Sequence, residues 1–202
     1  MKAREALELL IAGNRRFVDH VNGGEPVGGQ MRLGVPSAAQ RPFAIVLGCS
    51  DSRVPAEIVF DQGLGDLFVI RVAGNIVAPS QVGSVEFAAE QFETKLVVVM
   101  GHTECGAVSA TLDALGGSAA PSTHNVMSIV NRILPSVEPL YQAGAKRERA
   151  ELLALATRAN IRASVNQLRH GSELIESLIL GSGLLVVGAE YDLSTGRVEF
   201  LD

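Results

Sequence analysis

Three short runs of apolar residues limit the folds that this chain can adopt. They are "FAIVLG" (43–48), "DLFVIRV" (66–72) and "KLVVVMG" (95–101). Strands that are covered on both faces show such runs, whereas strands with one face in water alternate between apolar and polar residues. The runs therefore predict parallel strands in the core of a sheet.

The segments around these runs predict how the strands are connected. "SQVGSVEFAAEQFE" (80–93) has apolar residues near helical spacing and Ser80 as a suitable N-cap, which predicts a crossover helix. The region from about 124 to 180 also predicts helices. "LLVVGAEYDLSTGRVEFLD" (184–202) predicts two strands around a Ser-Thr-Gly turn.

These elements together predict an α/β fold. We expect a Rossmann-like single domain over residues 1–202, with a parallel-core sheet, flanking helices and an antiparallel edge hairpin at the C-terminus. An N-terminal helical arm is expected over about residues 1–35.

Composition and charge narrow the range of partners. The chain has 47% hydrophobic and 19% charged residues, which is typical of a globular protein. A net charge of −5, with no run of Lys or Arg, predicts no nucleic acid partner. No apolar run is long enough to span a bilayer, and the N-terminus mixes acids and bases, so we expect no membrane association and a cytoplasmic location. Cysteines in the cytoplasm more often serve metal binding or catalysis than disulfides.

Two candidate metal ligands follow predicted parallel strands directly. Cys49 comes after "FAIVLG" and His102 after "KLVVVMG", so both should lie at the edge of the sheet where α/β proteins bind ligands. Cys105 follows His102 by three positions and would face the same way in the first turn of a helix. Two thiolates and one imidazole form a known catalytic zinc set with one open position.

Other assignments of these residues remain open. A single buried cysteine is usually a small inert side chain, and two cysteines could also form a redox pair. Cys49 and Cys105 lack the C-x-x-C spacing that favours a redox pair. His20, His124 and His170 have no Cys or carboxylate cluster near them in the sequence, so we expect them to be solvated or structural.

Asp51 and Arg53 follow Cys49 closely, in "CSDSRVPAE". On a surface, such an ion pair would contribute little to stability. Beside a metal, a guanidinium that binds the carboxylate through two hydrogen bonds would keep it off the ion. The carboxylate could then accept a hydrogen bond from a water on the metal, as groups around metal ligands commonly do.

Three segments carry a resemblance to a known family. "CSDSRVPAE" (49–57), "GDLFVIRVAGN" (65–75) and "GHTECGAV" (101–108) resemble the β-class carbonic anhydrases, and the similarity extends from the N-terminal helix to the final "YDLSTG" turn. The resemblance implies reversible hydration of carbon dioxide to bicarbonate by attack of zinc-bound hydroxide. It also implies the site residues: one Zn²⁺ per subunit on Cys49, His102 and Cys105, and a catalytic pair of Asp51 and Arg53.

The resemblance also implies substrate-binding residues. Gln40 matches a glutamine that hydrogen-bonds substrate or product, and Phe68 matches an aromatic wall of the pocket. Ala73 stands where relatives often have valine, and Gly106 would let the backbone approach the site. A subgroup regulated by bicarbonate has tryptophan at the position of Val46, so we do not expect its accessory bicarbonate pocket here.

The resemblance further implies a homodimer or homotetramer in which each active site is lined partly by the neighbouring subunit. We expect the N-terminal helix to pack on that partner through Leu9, Leu10 and Phe17. The small-molecule substrate would be carbon dioxide or bicarbonate.

Other functions are compatible with the same residues. A hydrolase of carbonyl sulfide or carbon disulfide would use the same zinc ligands. A noncatalytic zinc or redox-sensing module would be indicated by a lost Asp-Arg pair or by a fourth thiolate, and the chain shows neither. A nucleotide-binding protein is disfavoured, because no predicted strand is followed by a glycine-rich phosphate loop.

Overall fold

The computed structural model describes residues 1–23, 40–118, 123–143 and 147–201. Within these residues the centre of the molecule is a five-stranded sheet with strand order β2-β1-β3-β4-β5. Strands β1 to β4 run parallel to one another, and β5 is antiparallel to β4. The strands are β1 (Ala44–Gly48), β2 (Leu67–Arg71), β3 (Leu96–His102), β4 (Leu185–Tyr191) and β5 (Val198–Leu201).

Helices connect the strands and cover both faces of the sheet. No helix in the described ranges is both long and apolar enough to cross a membrane. A short 3-10 turn, Ala73–Asn75, follows β2 and is called the 73–75 turn below. The α-helices are α1 (Ala3–Gly23), α2 (Ala56–Val59), α3 (Pro79–Gln91), α4 (Gly106–Leu115), α5 (His124–Ala143), α6 (Arg149–His170) and α7 (Glu173–Ser182).

The predicted α/β fold is confirmed, including the parallel core and the edge hairpin. The predicted N-cap of the crossover helix is wrong: α3 has Ala78 as its N-cap and Pro79 as its first residue. Proline suits that position because its φ is already helical and its missing N–H would have had no helical partner. Helix α1 ends at Gly23, and residues 24–35 of the expected arm lie outside the described residues.

Burial on both faces explains why the strand sequences are apolar without alternation. Side chains of β1 and β3 point alternately to the two faces. One face packs against α1 and α2, and its core includes Val46, Val98, Met100, Leu10 and Phe60. The other face packs against α3, α6 and α7, and its core includes Ile45, Leu47, Val97, Val99, Ile161 and Ile175.

Helix α1 uses its apolar stripe on its own subunit. Leu10 is fully buried and Phe17 is 8% exposed, both in the core cluster that covers one face of the sheet. The expectation that these two side chains pack on a partner is therefore wrong, because the sheet of the same chain already needs them. Leu9, by contrast, is 43% exposed.

Asn14 connects α1 by hydrogen bonds to the end of α2 and to the segment around the start of β5. Its side-chain amide donates to the carbonyl oxygens of Val59 and Gly196 at 3.1 and 2.9 Å. Its side-chain oxygen accepts from the backbone N–H of Val198 at 2.9 Å. The residue is buried, so these groups have little access to water as an alternative partner.

We predict that Asn14→Ala destabilises the protein by at least about 2 kcal/mol, because each buried backbone group left unpaired costs about 1–3 kcal/mol. Urea unfolding followed by circular dichroism measures the change. Arg15→Ala on the exposed side of the same helix is the control and should change stability by less than about 0.5 kcal/mol. Equal stability of the two variants would contradict the assigned role of Asn14.

Candidate metal centre

The sheet brings Cys49 and His102 to the same edge. Strands β1 and β3 are parallel neighbours, with Gly48 paired to Met100. Both strands therefore end at the same edge of the sheet. Cys105 is the N-cap of α4 rather than a residue within its first turn. Glu104, with φ of 57°, has the left-handed backbone that turns the chain back between His102 and Cys105.

The three candidate ligand atoms converge. They are Cys49 Sγ, a ring nitrogen of His102 and Cys105 Sγ, and all lie within 4.8 Å of one another. The three residues are at most 5% exposed. Soft sulfur and imidazole donors in such proximity form the ligand class that zinc favours.

The orientation of the His102 ring supports a metal site. Its Nδ1 lies 2.8 Å from the carbonyl oxygen of Thr103. A carbonyl only accepts hydrogen bonds, so Nδ1 carries the proton and Nε2 has a free lone pair. Nε2 is buried and has no hydrogen-bond partner among the residues that the structure describes. A buried acceptor in this state fits a metal ion, and the Nδ1 contact is the second interaction that orients a ligating histidine.

The two thiols shift the pKa of each other in opposite directions. The hydrogen bond from Cys105 is the main cause that lowers the pKa of Cys49 to about 4, and the Gly74 N–H, 3.3 Å from the Cys49 sulfur, adds to it. The same hydrogen bond and burial raise the pKa of Cys105. Burial is the largest single influence and lowers the pKa of His102, but the Cys49 sulfur, the Thr103 carbonyl and the Asp51 charge together raise it, so the net direction is upward. A bound cation would favour the deprotonated form of both thiols.

Asp51 stands beside the cluster and is held by Arg53. Arg53 Nε and Nη2 donate to the two carboxylate oxygens at 3.0 and 2.8 Å, and the Arg53 backbone N–H adds a third bond at 2.9 Å. These bonds hold the pKa of Asp51 well below its usual range. Asp51 Oδ2 is only 3.8 Å from His102 Nε2. The carboxylate is therefore ionised and close to the candidate metal position, with both oxygens bound by the guanidinium.

Arg71 is a residue of this site that sequence reasoning missed. It ends β2, where it pairs in register with Gly48. Its guanidinium donates to the carbonyl oxygens of Cys49 at 3.1 Å and Asp51 at 2.6 Å. Arg71 thus fixes the backbone of the loop that carries a ligand and the carboxylate. The one sequence signal for this role is a cation at the carboxyl end of an apolar strand next to β1.

Two of the predicted substrate-binding residues lie next to the cluster in the chain. Ala73 is half-buried in the 73–75 turn, beside Gly74, which contacts Cys49. Gly106 is the exposed first residue of α4, directly after Cys105. A Cβ added at Gly106 would meet no atom within 4 Å, so tight packing does not require glycine there.

The single chain does not bring Gln40 and Phe68 to its own cluster. Gln40 is exposed before the amino end of β1, where it lines a depression together with Phe92. The Phe68 ring centroid is 6.0 Å from that of Phe92 and 6.2 Å from that of Phe87. Phe87 is 54% exposed. Gln40 and these three rings therefore occupy one surface region, called the aromatic patch below, at the other end of the sheet.

Known proteins resemble this chain over most of its length. The sequence matches the profile of the carbonic anhydrase family over residues 44–198. A carbonic anhydrase of Mycolicibacterium smegmatis is 42% identical over 197 residues, which cover 96% of this chain and 91% of that protein. A solved β-carbonic anhydrase of Aspergillus fumigatus has a TM-score of 0.76 at 25% identity and covers 95% of this chain and 88% of its own. A tetrameric β-carbonic anhydrase of Sordaria macrospora has a TM-score of 0.73 at 25% identity. The match covers 81% of this chain and 82% of that protein.

We predict that the cluster binds zinc and that Cys49→Ser, His102→Ala and Cys105→Ser each lose most of it, because three protein ligands leave no spare donor. Elemental analysis of the purified proteins gives zinc per chain. His124→Ala, at an exposed position in α5, is the control and should keep the wild-type zinc content. Full occupancy in any of the three variants would remove that residue from the ligand set.

Proposed function

The chain belongs to the β-class carbonic anhydrase family, and on this premise we propose that it is a zinc enzyme that hydrates carbon dioxide reversibly to bicarbonate and a proton. The observation that carries the proposal is the buried, unpartnered His102 Nε2, which faces two thiols beside an arginine-bound carboxylate. Among the described residues, no group forms a hydrogen bond with Nε2.

Cys49, His102 and Cys105 would hold one zinc ion per subunit. When bound, zinc would lower the pKa of a coordinated water from about 15.7 to about 7 and so supply a nucleophile at neutral pH. Two thiolates give this ligand set more negative charge than three imidazoles would have, which opposes the loss of a proton from that water. The neighbouring Asp51 and Arg53 therefore matter more here than they would beside neutral ligands.

Asp51 and Arg53 would orient the reacting water and keep the metal accessible to it. An ionised carboxylate only accepts hydrogen bonds, so Asp51 can take one from the water and turn a lone pair towards the substrate carbon. The low pKa of Asp51 means that it keeps this acceptor role throughout the neutral range. Arg53 binds both carboxylate oxygens and would thereby keep Asp51 from binding a metal held by the cluster.

A neighbouring subunit would complete the pocket. Gln40 and Phe68 are far from the cluster of their own chain, yet they share the aromatic patch with the exposed Phe87. We infer that the protein is a homodimer or homotetramer in which this patch faces the partner's metal site. The tetrameric assembly of the Sordaria macrospora relative supports the proposal.

The function is tested by stopped-flow hydration of carbon dioxide, with zinc measured on the same samples. Wild-type protein is expected to hydrate carbon dioxide in proportion to its zinc content. Arg53→Ala is expected to keep its zinc but lose about 100-fold or more in rate, because it removes both the orientation of Asp51 and the restraint on it.

Arg162→Ala is the matched control, since Arg162 is an exposed arginine of α6 remote from the pair in sequence. It should retain wild-type zinc and wild-type rate. A zinc-loaded wild-type protein without hydration activity would overturn the proposed function. Near wild-type turnover of Arg53→Ala would overturn only the role of the Asp51–Arg53 pair.

The assembly is tested by Phe87→Glu, which places a charge in the aromatic patch. We expect this variant to dissociate to monomers in sedimentation velocity and to lose most of its activity, because an unpaired charge in an apolar interface is costly. Leu180→Glu is the control at an apolar side chain that is 86% exposed. A wild-type monomer that remains fully active at dilute concentration would contradict the shared pocket.

A further inference from the structure

The Gly74 amide makes a hydrogen bond that acts directly on a predicted metal ligand. Its N–H donates to Cys49 Sγ across 3.3 Å. Hydrogen bonds to a ligating sulfur reduce the charge that the thiolate donates and so tune the metal. The Gly74 N–H is a backbone group. Its position relative to the Cys49 sulfur therefore depends on the contacts that hold the 73–75 turn.

The turn has a backbone conformation that needs external support. Gly74 and Asn75 have φ of 69° and 43°, two left-handed residues in succession. Such a conformation persists when the surrounding structure determines it. A Cβ at Gly74 would lie 2.8 Å from Ile133 Cδ1 and 3.0 Å from Ala107 Cβ, so the turn is seated closely against α5 and α4.

Two side chains of α6 hold the turn from the other side. Asn160 Nδ2 donates to the carbonyl oxygen of Gly74 at 2.8 Å, and Ser164 Oγ donates to that of Asn75 at 3.1 Å. Both side chains are buried, with exposures of 2% and 4% for the two residues. They are four positions apart on α6 and so lie on one helix face. Together they fix the two peptide units that follow the Gly74 amide.

We propose that Asn160 and Ser164 are positioning residues for the metal centre. They hold the Gly74 N–H on the Cys49 sulfur and thereby limit the charge that this thiolate donates to the bound ion. The inference rests on the proposed zinc site, and it gives α6 a role in that site although Asn160 and Ser164 are not among its ligands.

Cobalt substitution gives a direct readout of the Cys49 sulfur. In Co²⁺-loaded protein, removal of a hydrogen bond from a thiolate raises the energy of the sulfur electrons. The near-ultraviolet sulfur-to-cobalt absorption band should therefore move to longer wavelength in Asn160→Leu, which keeps the branched shape of the side chain without the donor, and in Ser164→Ala. Zinc affinity, measured by competition with a chelator, should fall about 10-fold to 100-fold in Asn160→Leu, because Cys49 loses a contact that orients it.

Thr157→Val is the matched control on the same helix. Thr157 is 2% exposed, and its hydroxyl has no hydrogen-bond partner within the described part of the chain. This variant should keep the wild-type band and affinity, and an equal change in it would overturn the proposal. Unchanged band and affinity in Asn160→Leu and Ser164→Ala would also overturn it.

The same experiment separates this inference from the proposed function. A wild-type protein without a sulfur-to-cobalt band would refute the thiolate metal site itself, and the positioning role would fall with it. If Asn160→Leu fails to fold, Ser164→Ala alone tests the proposal. A shift of its sulfur-to-cobalt band to longer wavelength supports the proposal, and an unchanged band overturns it.

Discussion

The site depends on burying three soft donor atoms at one point without enough protein partners to satisfy them. His102 Nε2 has no hydrogen-bond partner in the described part of the chain, and the two buried thiols shift the pKa of each other in opposite directions. A buried polar atom left unpaired costs about 1–3 kcal/mol. That cost is recovered when a cation binds, so ion binding and stability are linked. The surrounding contacts, from Arg71 on the loop backbone to the Gly74 amide on sulfur, hold the donors in place for that event.

The parts of the site that sequence could predict depend on short patterns. Uninterrupted apolar runs indicated parallel strands, and parallel neighbours necessarily end at one edge, which is enough to place Cys49 near His102. The two-residue separation of Asp51 and Arg53 permits a bidentate pair within one turn, and the structure contains it. The second case follows from local chain direction alone, whereas the first also needs β1 and β3 to be neighbours in the sheet.

The parts that sequence could not predict depend on contacts between distant segments. Arg71 contacts the Cys49 loop because of strand register, and Asn160 contacts the 73–75 turn from a helix late in the chain. No periodic pattern encodes such pairs. An amphipathic helix likewise shows an apolar stripe without showing what covers it, which is why Leu10 and Phe17 could be expected at a partner yet pack on their own sheet.

The contacts of Asn14 have a consequence for biosynthesis. Its bonds to Gly196 and Val198 join positions 182 and 184 apart in the sequence, and β4, the partner of β3, begins only at Leu185. Contacts that close such long segments form late in folding. A nascent chain therefore contains Cys49, His102 and Cys105 before β4 has been synthesised. The pairing of β4 with β3 is therefore needed before the edge of the sheet that carries His102 is complete.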